Sequence, residues 1–293
     1  MKTEFECSCV ITTHDRDVFL RDAISSVLGQ TIRPMEVIIV DDVGSKATSL
    51  LVDSLSTAAL PLRYMDASGL QLKGAGASRN FGAKAATKPY VAFLDDDDIW
   101  KPTLLEECRM QFLANPTALV AVWASFLSND KEFDGQSLPT GLRPSDGFSK
   151  NPGLTGSNFI IKREVFCELG GFDTTLWVSN DRDFLIRFLD AGHPYGVIKQ
   201  RLVLQRIHQQ GQLTNRNEHR ARGIEHFMNK YRPRLSSRDL RLLNRELYSI
   251  RRVCHAKLGM RVIFTVRQLL TYRPGELIAT ITKKALNRTT TYR

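Results

Sequence analysis

The chain has 293 residues, of which 42% are hydrophobic and 25% are charged, a balance typical of a soluble globular protein rather than a disordered one. Its five cysteines form no CxxC pair, which argues against a disulfide framework or a structural zinc site and favours a reducing cytosol. The sequence contains neither the apolar core of a signal peptide nor a run of the roughly 18 to 20 apolar residues that span a membrane, so we expect a cytoplasmic protein.

The first hundred residues alternate between strand-like and helix-like patterns. The apolar runs predicted as strands are 7–13, 35–42, 61–66 and 90–94. Asp15 or Asp17 is expected to cap a helix after the first strand, and a Gly-rich start indicates a helix over 74–86. The face of the first helix is predicted to comprise Phe19, Ala23, Ile24, Val27 and Leu28. Apolar strands alternating with helices predict an α/β fold, with a mostly parallel sheet covered by helices on both faces.

The second half of the sequence is less regular. A strand, a short helix and a Gly-Gly stop are predicted within 156–173, and residues 129–152 are predicted to form a long surface loop because they are rich in Gly, Pro, Ser and Asp. Beyond Gly223 the chain is predicted to be helical. The other predicted elements are helices over 103–114 and 180–192 and strands over 118–125 and 195–208.

Polar side chains follow three of the predicted strands. Thr12 to Asp15 come after the first strand, Asp41 and Asp42 end the second, and Asp95 to Asp98 follow the fourth. Ligands bind at the carboxyl ends of the strands in parallel α/β sheets. The sequence therefore predicts a ligand site at this edge.

The run YVAFLDDDDIW places four carboxylates, Asp95 to Asp98, directly after a strand. A solvated acidic loop is one interpretation, although Ile99, Trp100 and Pro102 follow the run closely. An EF-hand is excluded, because the alternating oxygens, the central Gly and the distant Glu are missing. We favour an Asp-x-Asp motif, whose carboxylates hold a divalent ion that neutralises a diphosphate.

Seven sequence strings, in this order, resemble the family 2 glycosyltransferases of GT-A fold. The resemblance covers about residues 7–214. The strings are CVITTHDR, FLRDAISSVLGQTIRPMEVIIVDD, ASRNFGAKAA, YVAFLDDDDIWKP, GGFDTTL, NDRDFLIRFLDAG and QRIHQQGQLT. The resemblance implies a Rossmann-like GT-A domain over residues 1–223, with a nucleotide-sugar half at about 1–115 and an acceptor half at about 116–223. A helical, basic region over 224–293 would follow it.

The resemblance also implies roles for the polar residues at the strand ends. Thr12, His14 and Asp42 match positions that hold the base and ribose of the donor. His14-Asp15 stands where the family more often has Tyr-Asn, and Val43 where it has Gly, so the preferred base stays open, although uridine is the family's commonest.

Five further residues match family positions near the donor phosphates. Arg79 would bond the nucleotide or its phosphate, although a surface helix arginine is nearly as good an interpretation. Asp96 would meet the ribose or the metal, Asp97 would be the principal metal ligand, and Asp95 would support them, while Asp98 is expected only to turn the chain. His208 matches a histidine used as a further metal ligand or phosphate contact; a structural histidine is the alternative.

Asp181 matches the catalytic base, which the family places in a Glu-Asp pair at the start of a helix. Here the pair is Asn180-Asp181. Without the neighbouring acid, the pKa of Asp181 is expected to be slightly lower than in a Glu-Asp pair. An N-cap role for Asn180 or Asp181 is compatible with catalysis. The acceptor pocket is expected near 156–158 and 170–173, with Trp177 against a sugar ring.

We therefore expect a metal-dependent inverting glycosyltransferase. It would use Mn²⁺ or Mg²⁺ and a UDP-sugar, and its acceptor would be a glycan or a lipid-linked saccharide in bacterial polysaccharide or lipopolysaccharide synthesis. Two alternatives are a non-catalytic nucleotide-sugar or carbohydrate-binding module of the same fold and a nucleotidyltransferase.

The basic residues are concentrated near the C-terminus. Residues 232–293 hold 15 Lys/Arg and 3 Asp/Glu, a net charge of +12, whereas residues 1–231 carry about −2. Leu277, Ile278, Ile281 and Ala285 recur at helical spacing among these cations. This pattern favours peripheral contact with the anionic inner face of the cytoplasmic membrane over a helix packed on the body or a nucleic-acid partner.

Overall fold

The computed structural model describes residues 4–58, 60–70, 74–208 and 216–277. The chain forms two compact units. The first comprises Met1–Gly147 and Asn151–His208, and the second comprises Phe148–Lys150 and Gln209–Arg293.

The first unit contains a sheet and six α-helices among the described residues. The strands are β1 (Glu4–Thr13), β2 (Arg33–Asp41), β3 (Leu62–Asp66), β4 (Tyr90–Asp95), β5 (Asp98–Trp100), β6 (Leu119–Ser128), β7 (Lys131–Asp134), β8 (Phe159–Lys162) and β9 (Tyr195–Arg206). The helices are α1 (Asp17–Leu28), α2 (Lys46–Leu55), α3 (Ala75–Ala85), α4 (Leu104–Ala114), α5 (Arg163–Glu168) and α6 (Asn180–Asp190).

The strands form one sheet in the order β3-β2-β1-β4-β8-β6-β9-β5, and β7 pairs with β6. Within the described chain, β5, β7 and β8 run against the other six strands. The predicted mostly parallel sheet is therefore confirmed. Two of its three antiparallel strands, β7 and β8, lie in the half of the chain where the sequence pattern is irregular, and the third, β5, is a three-residue strand directly after the acidic turn.

Helices cover both faces of the sheet, which explains why its central strands are apolar at consecutive positions. In β1, Cys9 and Ile11 pack on the side of α1, α2 and α4, whereas Val10 packs on the side of α3, α5 and α6. Gly82 of α3 lies so close to Val10 and Val40 that an added Cβ would overlap both side chains. A glycine at this position thus lets α3 lie directly on the strands.

The start of α1 differs from the prediction. Arg16, rather than Asp15 or Asp17, occupies the N-cap position, and its side chain makes no capping hydrogen bond. Leu20 is fully buried, whereas Phe19 is only partly buried. Asp15 has a left-handed backbone (φ 52°), and this turn between β1 and α1 brings Arg16 towards the sheet edge.

The predicted loop over 129–152 contains regular structure. Residues Lys131–Asp134 form β7, which pairs with the end of β6, and Pro144–Gly147 form a 3₁₀ turn. The strand is short, carries three charged residues and one phenylalanine, and is exposed at all four positions. It therefore lacks the apolar alternation by which a strand is recognised in a sequence.

The second unit contains three described α-helices, α7 (Glu218–Tyr231), α8 (Ser237–Cys254) and α9 (Leu258–Leu269). Its core contains Ile224, Met228, Leu243, Leu247 and Ile250. Ser236 and Asp239 form a reciprocal capping box at the start of α8. No helix among the described residues is long and apolar enough to cross a membrane. The predicted helical stripe through Ile278, Ile281 and Ala285 lies outside the described residues.

Candidate active site

The ends of β1, β2 and β4 meet at one edge of the sheet. Thr12 is in register with Asp95, and Thr13 with Asp41, because β1 lies between β4 and β2 in parallel pairing. The Thr12 hydroxyl donates to Asp95 Oδ1 over 3.3 Å. Parallel topology therefore brings together polar residues that are some 80 positions apart.

Asp96 is fully buried beneath this edge. Its Oδ2 accepts hydrogen bonds from the Thr13 hydroxyl (2.8 Å), the His14 backbone amide (3.2 Å) and Arg16 Nε (3.1 Å). Burial raises the pKa of Asp96 to about 6, and the charge of Asp97 adds to this effect, whereas Arg16 opposes it. Asp96 therefore anchors the turn after β1.

Arg16 contributes a positive charge in direct contact with the acidic run, and the sequence alone did not indicate this role. Its Nη2 lies 2.5 Å from Asp96 Oδ1, and its Nη1 lies 3.0 Å from Asp97 Oδ2. The available signal was an arginine directly after the first strand, opposite four acids. Arginine suits this task because its planar guanidinium can bridge two carboxylates.

Asp95 pairs with Arg79, which lies on α3. Arg79 Nη2 is 2.5 Å from one Asp95 oxygen and 2.7 Å from the other, and the Arg79 residue is only 5% exposed. Gly156 leaves room for the guanidinium, since an added Cβ would overlap it. The Ser157 hydroxyl accepts a hydrogen bond from the Asp95 amide (3.0 Å).

Asp95, Asp97 and Asp98 form the acidic cluster. One carboxylate oxygen from each lies within 4.8 Å of the others. Asp97 Oδ2 is also 2.9 Å from His208 Nε2, so the two predicted metal-binding residues do meet. Asp98, which was expected only to turn the chain, is buried and belongs to this cluster. Its burial, together with the charges of Asp97 and Asp95, raises its pKa well above the usual range.

His14 and Asp42 lie at the rim of the edge. His14 Nδ1 is 2.6 Å from Asp42 Oδ1, and the His14 side chain is 72% exposed. Asp41, by contrast, is buried, and it accepts hydrogen bonds from the amides of Val43 and Ser45 and from the Tyr64 hydroxyl. The two adjacent acids therefore differ in role, because Asp41 holds the loop after β2 in place, whereas Asp42 lies at the rim.

Asp181 lies in the first turn of α6. Asn151 Nδ2 donates to its Oδ2 (3.0 Å), and the Arg182 amide donates to its Oδ1 (2.7 Å). Burial raises the pKa of Asp181, opposed by the Arg182 amide bond and the charge of Arg79. The expectation of a slightly lower pKa concerned only the missing neighbouring acid, whereas burial acts on the pKa of Asp181 in the opposite direction. The charge of Arg79 lowers the pKa of Asp181 and that of Asp95 raises it, so Asp181 interacts electrostatically with the Arg79–Asp95 pair.

The backbone before α6 is strained. Ser179 adopts a left-handed conformation (φ 64°), which is uncommon for a residue other than glycine. Such outliers persist only where the surroundings fix them, and they occur often at functional sites. Asn180 is buried, and Gly76 of α3 lies so close to it that an added Cβ would be 2.7 Å from Asn180 Nδ2. The amide at position 180 therefore packs on α3 next to the base candidate.

Several of the predicted acceptor residues lie against α3 or the glycine that precedes it. Trp177 is partly exposed beside Gly74, which precedes α3. Asn80 of α3 exchanges hydrogen bonds with the Phe172 backbone over 2.8 Å in both directions. Asn80 thus fixes the segment that leads to Trp177, a role that the sequence alone did not indicate.

Comparisons with known proteins identify the family. The family model described as Glycosyl transferase family 2 matches residues 8–170. Escherichia coli (strain K12) WcaA, whose name describes a glycosyl transferase of colanic acid biosynthesis, is 29% identical over 293 residues, covering 95% of this chain and 98% of that protein.

Two solved structures share the fold. The mannosyltransferase PcManGT of Pyrobaculum calidifontis, in complex with GDP-Man and Mn²⁺, is 16% identical with a TM-score of 0.62, covering 97% of this chain and 80% of that one. S. aureus TarS 1-349, in complex with UDP-GlcNAc, is 15% identical with a TM-score of 0.58, covering 91% of this chain and 72% of that one. The predicted GT-A fold is confirmed. The chain belongs to glycosyl transferase family 2 and is a glycosyltransferase.

Proposed function

We propose that this glycosyltransferase is metal-dependent and inverting, and that it moves a sugar from a nucleoside diphosphate donor to a glycan or a lipid-linked saccharide. The name of WcaA, which refers to colanic acid biosynthesis, supports bacterial polysaccharide synthesis, since the alignment spans 98% of that protein. The UDP-GlcNAc complex of TarS supports a UDP-sugar, while the GDP-Man complex of PcManGT makes guanosine the second base to test.

One observation carries this proposal. Asp181, on a helix start fixed by Asn151, lies within the electrostatic reach of the Arg79–Asp95 pair. A base of this kind must be ionised, held in place and close to the donor. Burial raises the pKa of Asp181, so its carboxylate is a stronger base than an exposed one.

The proposed step uses Asp181 as the proton acceptor. The acceptor hydroxyl loses its proton to the Asp181 carboxylate while its oxygen bonds to the anomeric carbon of the donor. The bond between that carbon and the phosphate oxygen breaks, and its electron pair leaves with the nucleoside diphosphate. Attack from the face opposite the diphosphate inverts the anomeric centre.

The acidic cluster fits a divalent cation. Asp95, Asp97 and Asp98 would hold Mn²⁺ or Mg²⁺, with His208 as a further ligand, because three carboxylate oxygens already lie within 4.8 Å of one another. Carboxylate oxygens suit both ions, and an imidazole suits Mn²⁺ better than Mg²⁺. The bound ion would supply positive charge that neutralises the donor diphosphate.

The remaining predicted residues would shape the donor site. We propose that Thr12, His14 and Asp42 face the base and ribose, which the exposure of His14 supports. Arg79 and Asp96 are both buried and ion-paired, which favours a positioning role. Arg79 would orient Asp95, and Asp96 would orient Arg16.

The test is a panel of nucleotide sugars with Mn²⁺ or with EDTA. We expect nucleoside diphosphate release from at least one donor with Mn²⁺, its loss with EDTA and its loss in Asp97→Ala, while Asp53→Ala on the exposed side of α2 retains it. Binding without release over a range of acceptors would instead indicate a binding module. Pyrophosphate release from a nucleoside triphosphate would indicate a nucleotidyltransferase.

We further propose that the protein works at the inner face of the cytoplasmic membrane, where a lipid-linked acceptor would be found. The basic composition of the second unit supports this location, since residues 216–277 alone hold 15 Lys/Arg against 5 Asp/Glu.

A further inference from the structure

Helix α9 exposes an apolar stripe to solvent. Leu258, Val262, Val266 and Leu269 recur at intervals of three or four residues and therefore share one helix face, which we call the α9 ridge. Their exposed fractions are 74%, 55%, 51% and 47%. Ile263 and Leu270, beside the ridge, are 43% and 78% exposed.

The ridge is not the face by which α9 packs on its own unit. Phe264, on the opposite side of the helix, is the buried residue of α9. Its ring stacks near Tyr248 of α8 at 6.3 Å and lies 6.0 Å from the Arg251 guanidinium. A surface helix ordinarily carries polar residues opposite its packed face, so a second apolar face indicates a further contact.

The surface around the ridge is cationic. Residues 247–275 hold six Lys/Arg and no Asp/Glu, and Lys257, Arg261, Arg267 and Arg273 are exposed. The acids nearest in sequence pair elsewhere, Glu246 with Arg220 and Glu276 with Arg245. Among the described residues, these two acids do not pair with Lys257, Arg261 or Arg267, so the positive charge around the ridge can attract an anionic partner.

These charges decide between the possible occupants of the ridge. A second copy of the chain would bring two surfaces of the same sign together, which disfavours association. An anionic lipid surface matches both features, because apolar side chains enter the acyl boundary while Lys and Arg remain at the headgroups.

We propose that the α9 ridge inserts into the interface of an anionic phospholipid bilayer, with Arg261 and Arg267 at the headgroups. The inference rests on the proposed function in one respect only: membrane contact would give the enzyme access to a lipid-linked acceptor. It assigns membrane contact to a defined helix face within the basic region.

The test is binding of the purified full chain to vesicles, without any nucleotide sugar. We expect the wild type to bind vesicles of phosphatidylcholine mixed with phosphatidylglycerol, and to bind phosphatidylcholine alone much more weakly. In Val262→Asp/Val266→Asp the partition coefficient should fall at least about tenfold, because charges replace two exposed valines that would enter the bilayer interface. In Arg261→Gln/Arg267→Gln the binding should weaken and its salt dependence should decrease.

Met110→Asp/Leu113→Asp is the matched control, since these residues are 57% and 70% exposed on α4 of the first unit. It makes the same charge change and should leave vesicle binding nearly unaltered. Circular dichroism checks that each variant folds.

Equal binding by the wild type and the ridge variant, or no preference for anionic vesicles, would overturn the inference. A wild-type dimer that the ridge variant dissociates, without vesicle binding, would assign the ridge to a second copy. Donor turnover is measured without vesicles, so the proposed function can fail or hold separately.

Discussion

The four consecutive carboxylates after β4 occupy four different environments. Asp95 pairs with Arg79, Asp96 is buried against Arg16, Asp97 lies between Arg16 and His208, and Asp98 is buried beside Ser157. Two arginines from different elements therefore offset much of the repulsion. A buried carboxylate without such a partner would cost several kcal/mol, so these ion pairs maintain the cluster more than they add net stability.

Replacing Asp96 should change how stability depends on pH. Its pKa is about 6 in the folded protein against an ordinary value of 3.8, so the folded state binds this proton more tightly than the unfolded state. The carboxyl therefore destabilises the fold increasingly as pH rises from about 4 to 6, reaching about 3 kcal/mol above that range. In urea unfolding without divalent metal, the stability of Asp96→Asn relative to wild type should rise with pH by about this amount.

Asp53→Asn, on the exposed side of α2, is the control for this measurement, and its stability relative to wild type should vary little with pH. A pH-independent difference between Asp96→Asn and wild type would show that burial does not govern the Asp96 proton.

The acids of the site could be predicted from the sequence, but their partners could not. Thr12, Asp42 and Asp95 to Asp97 could be predicted as neighbours because they follow strands, and parallel strands bring their carboxyl ends to one edge of the sheet. The contacts of Arg16 depend on the left-handed turn at Asp15. The hydrogen-bond partner of the buried Asp98 side chain, Ser157, is distant in sequence. Tertiary contacts of these kinds leave no local pattern.

At the scale of elements, the starts of α3 and α6 define the space next to the carboxylate edge. Gly76 lets Asn180 approach α3, and the left-handed Ser179 turns the chain just before Asp181, which lies on the first turn of α6. The helices themselves follow from apolar periodicity and Gly-rich starts, so their positions were predictable. Their close approach was not, because it depends on one missing Cβ.

Substitution of Gly76 should separate these helices. In Gly76→Ala the new Cβ would lie 2.7 Å from Asn180 Nδ2 and 3.2 Å from Phe172 Cβ, so α3 or α6 must shift. We expect a loss of about 1 to 2 kcal/mol in unfolding free energy, together with a lower turnover rate. Chemical denaturation and donor turnover measure the two effects.

Gly259→Ala on α9 is the matched control, since an added Cβ there would meet nothing within 4 Å. Alanine should leave the stability unchanged or raise it slightly, because glycine is a poor helix former. If Gly76→Ala behaved in the same way, the contact between α3 and α6 would not matter for the site.

At the scale of the whole molecule, charge is divided along the chain. The first 231 residues are nearly neutral, and the basic residues follow them. This division could be predicted from composition alone, as could the helical character of the second unit. The α9 ridge could not be predicted, because a sequence shows that a helix is apolar but not which of its faces is already packed.

Donor and metal together should stabilise the first unit. All three tryptophans, Trp100, Trp123 and Trp177, lie in this unit, so their fluorescence reports its unfolding selectively. A ligand present at about 100 times its Kd adds about 2.7 kcal/mol to the unfolding free energy. UDP with Mn²⁺ should therefore raise the unfolding midpoint of the wild type, and UDP with EDTA or with Asp97→Asn should raise it much less. Equal shifts under all three conditions would argue against a metal at the cluster.

The most direct test of the account is the effect of Asp181→Asn on chemistry and on donor binding. Transfer, or donor hydrolysis by water, should fall by about 10² to 10⁴ in this variant, while its affinity for nucleoside diphosphate with Mn²⁺ should match that of the wild type. Asp190→Asn, at the other end of α6, should change neither quantity. Turnover by Asp181→Asn at the wild-type rate would contradict the account, because the base would then lie elsewhere.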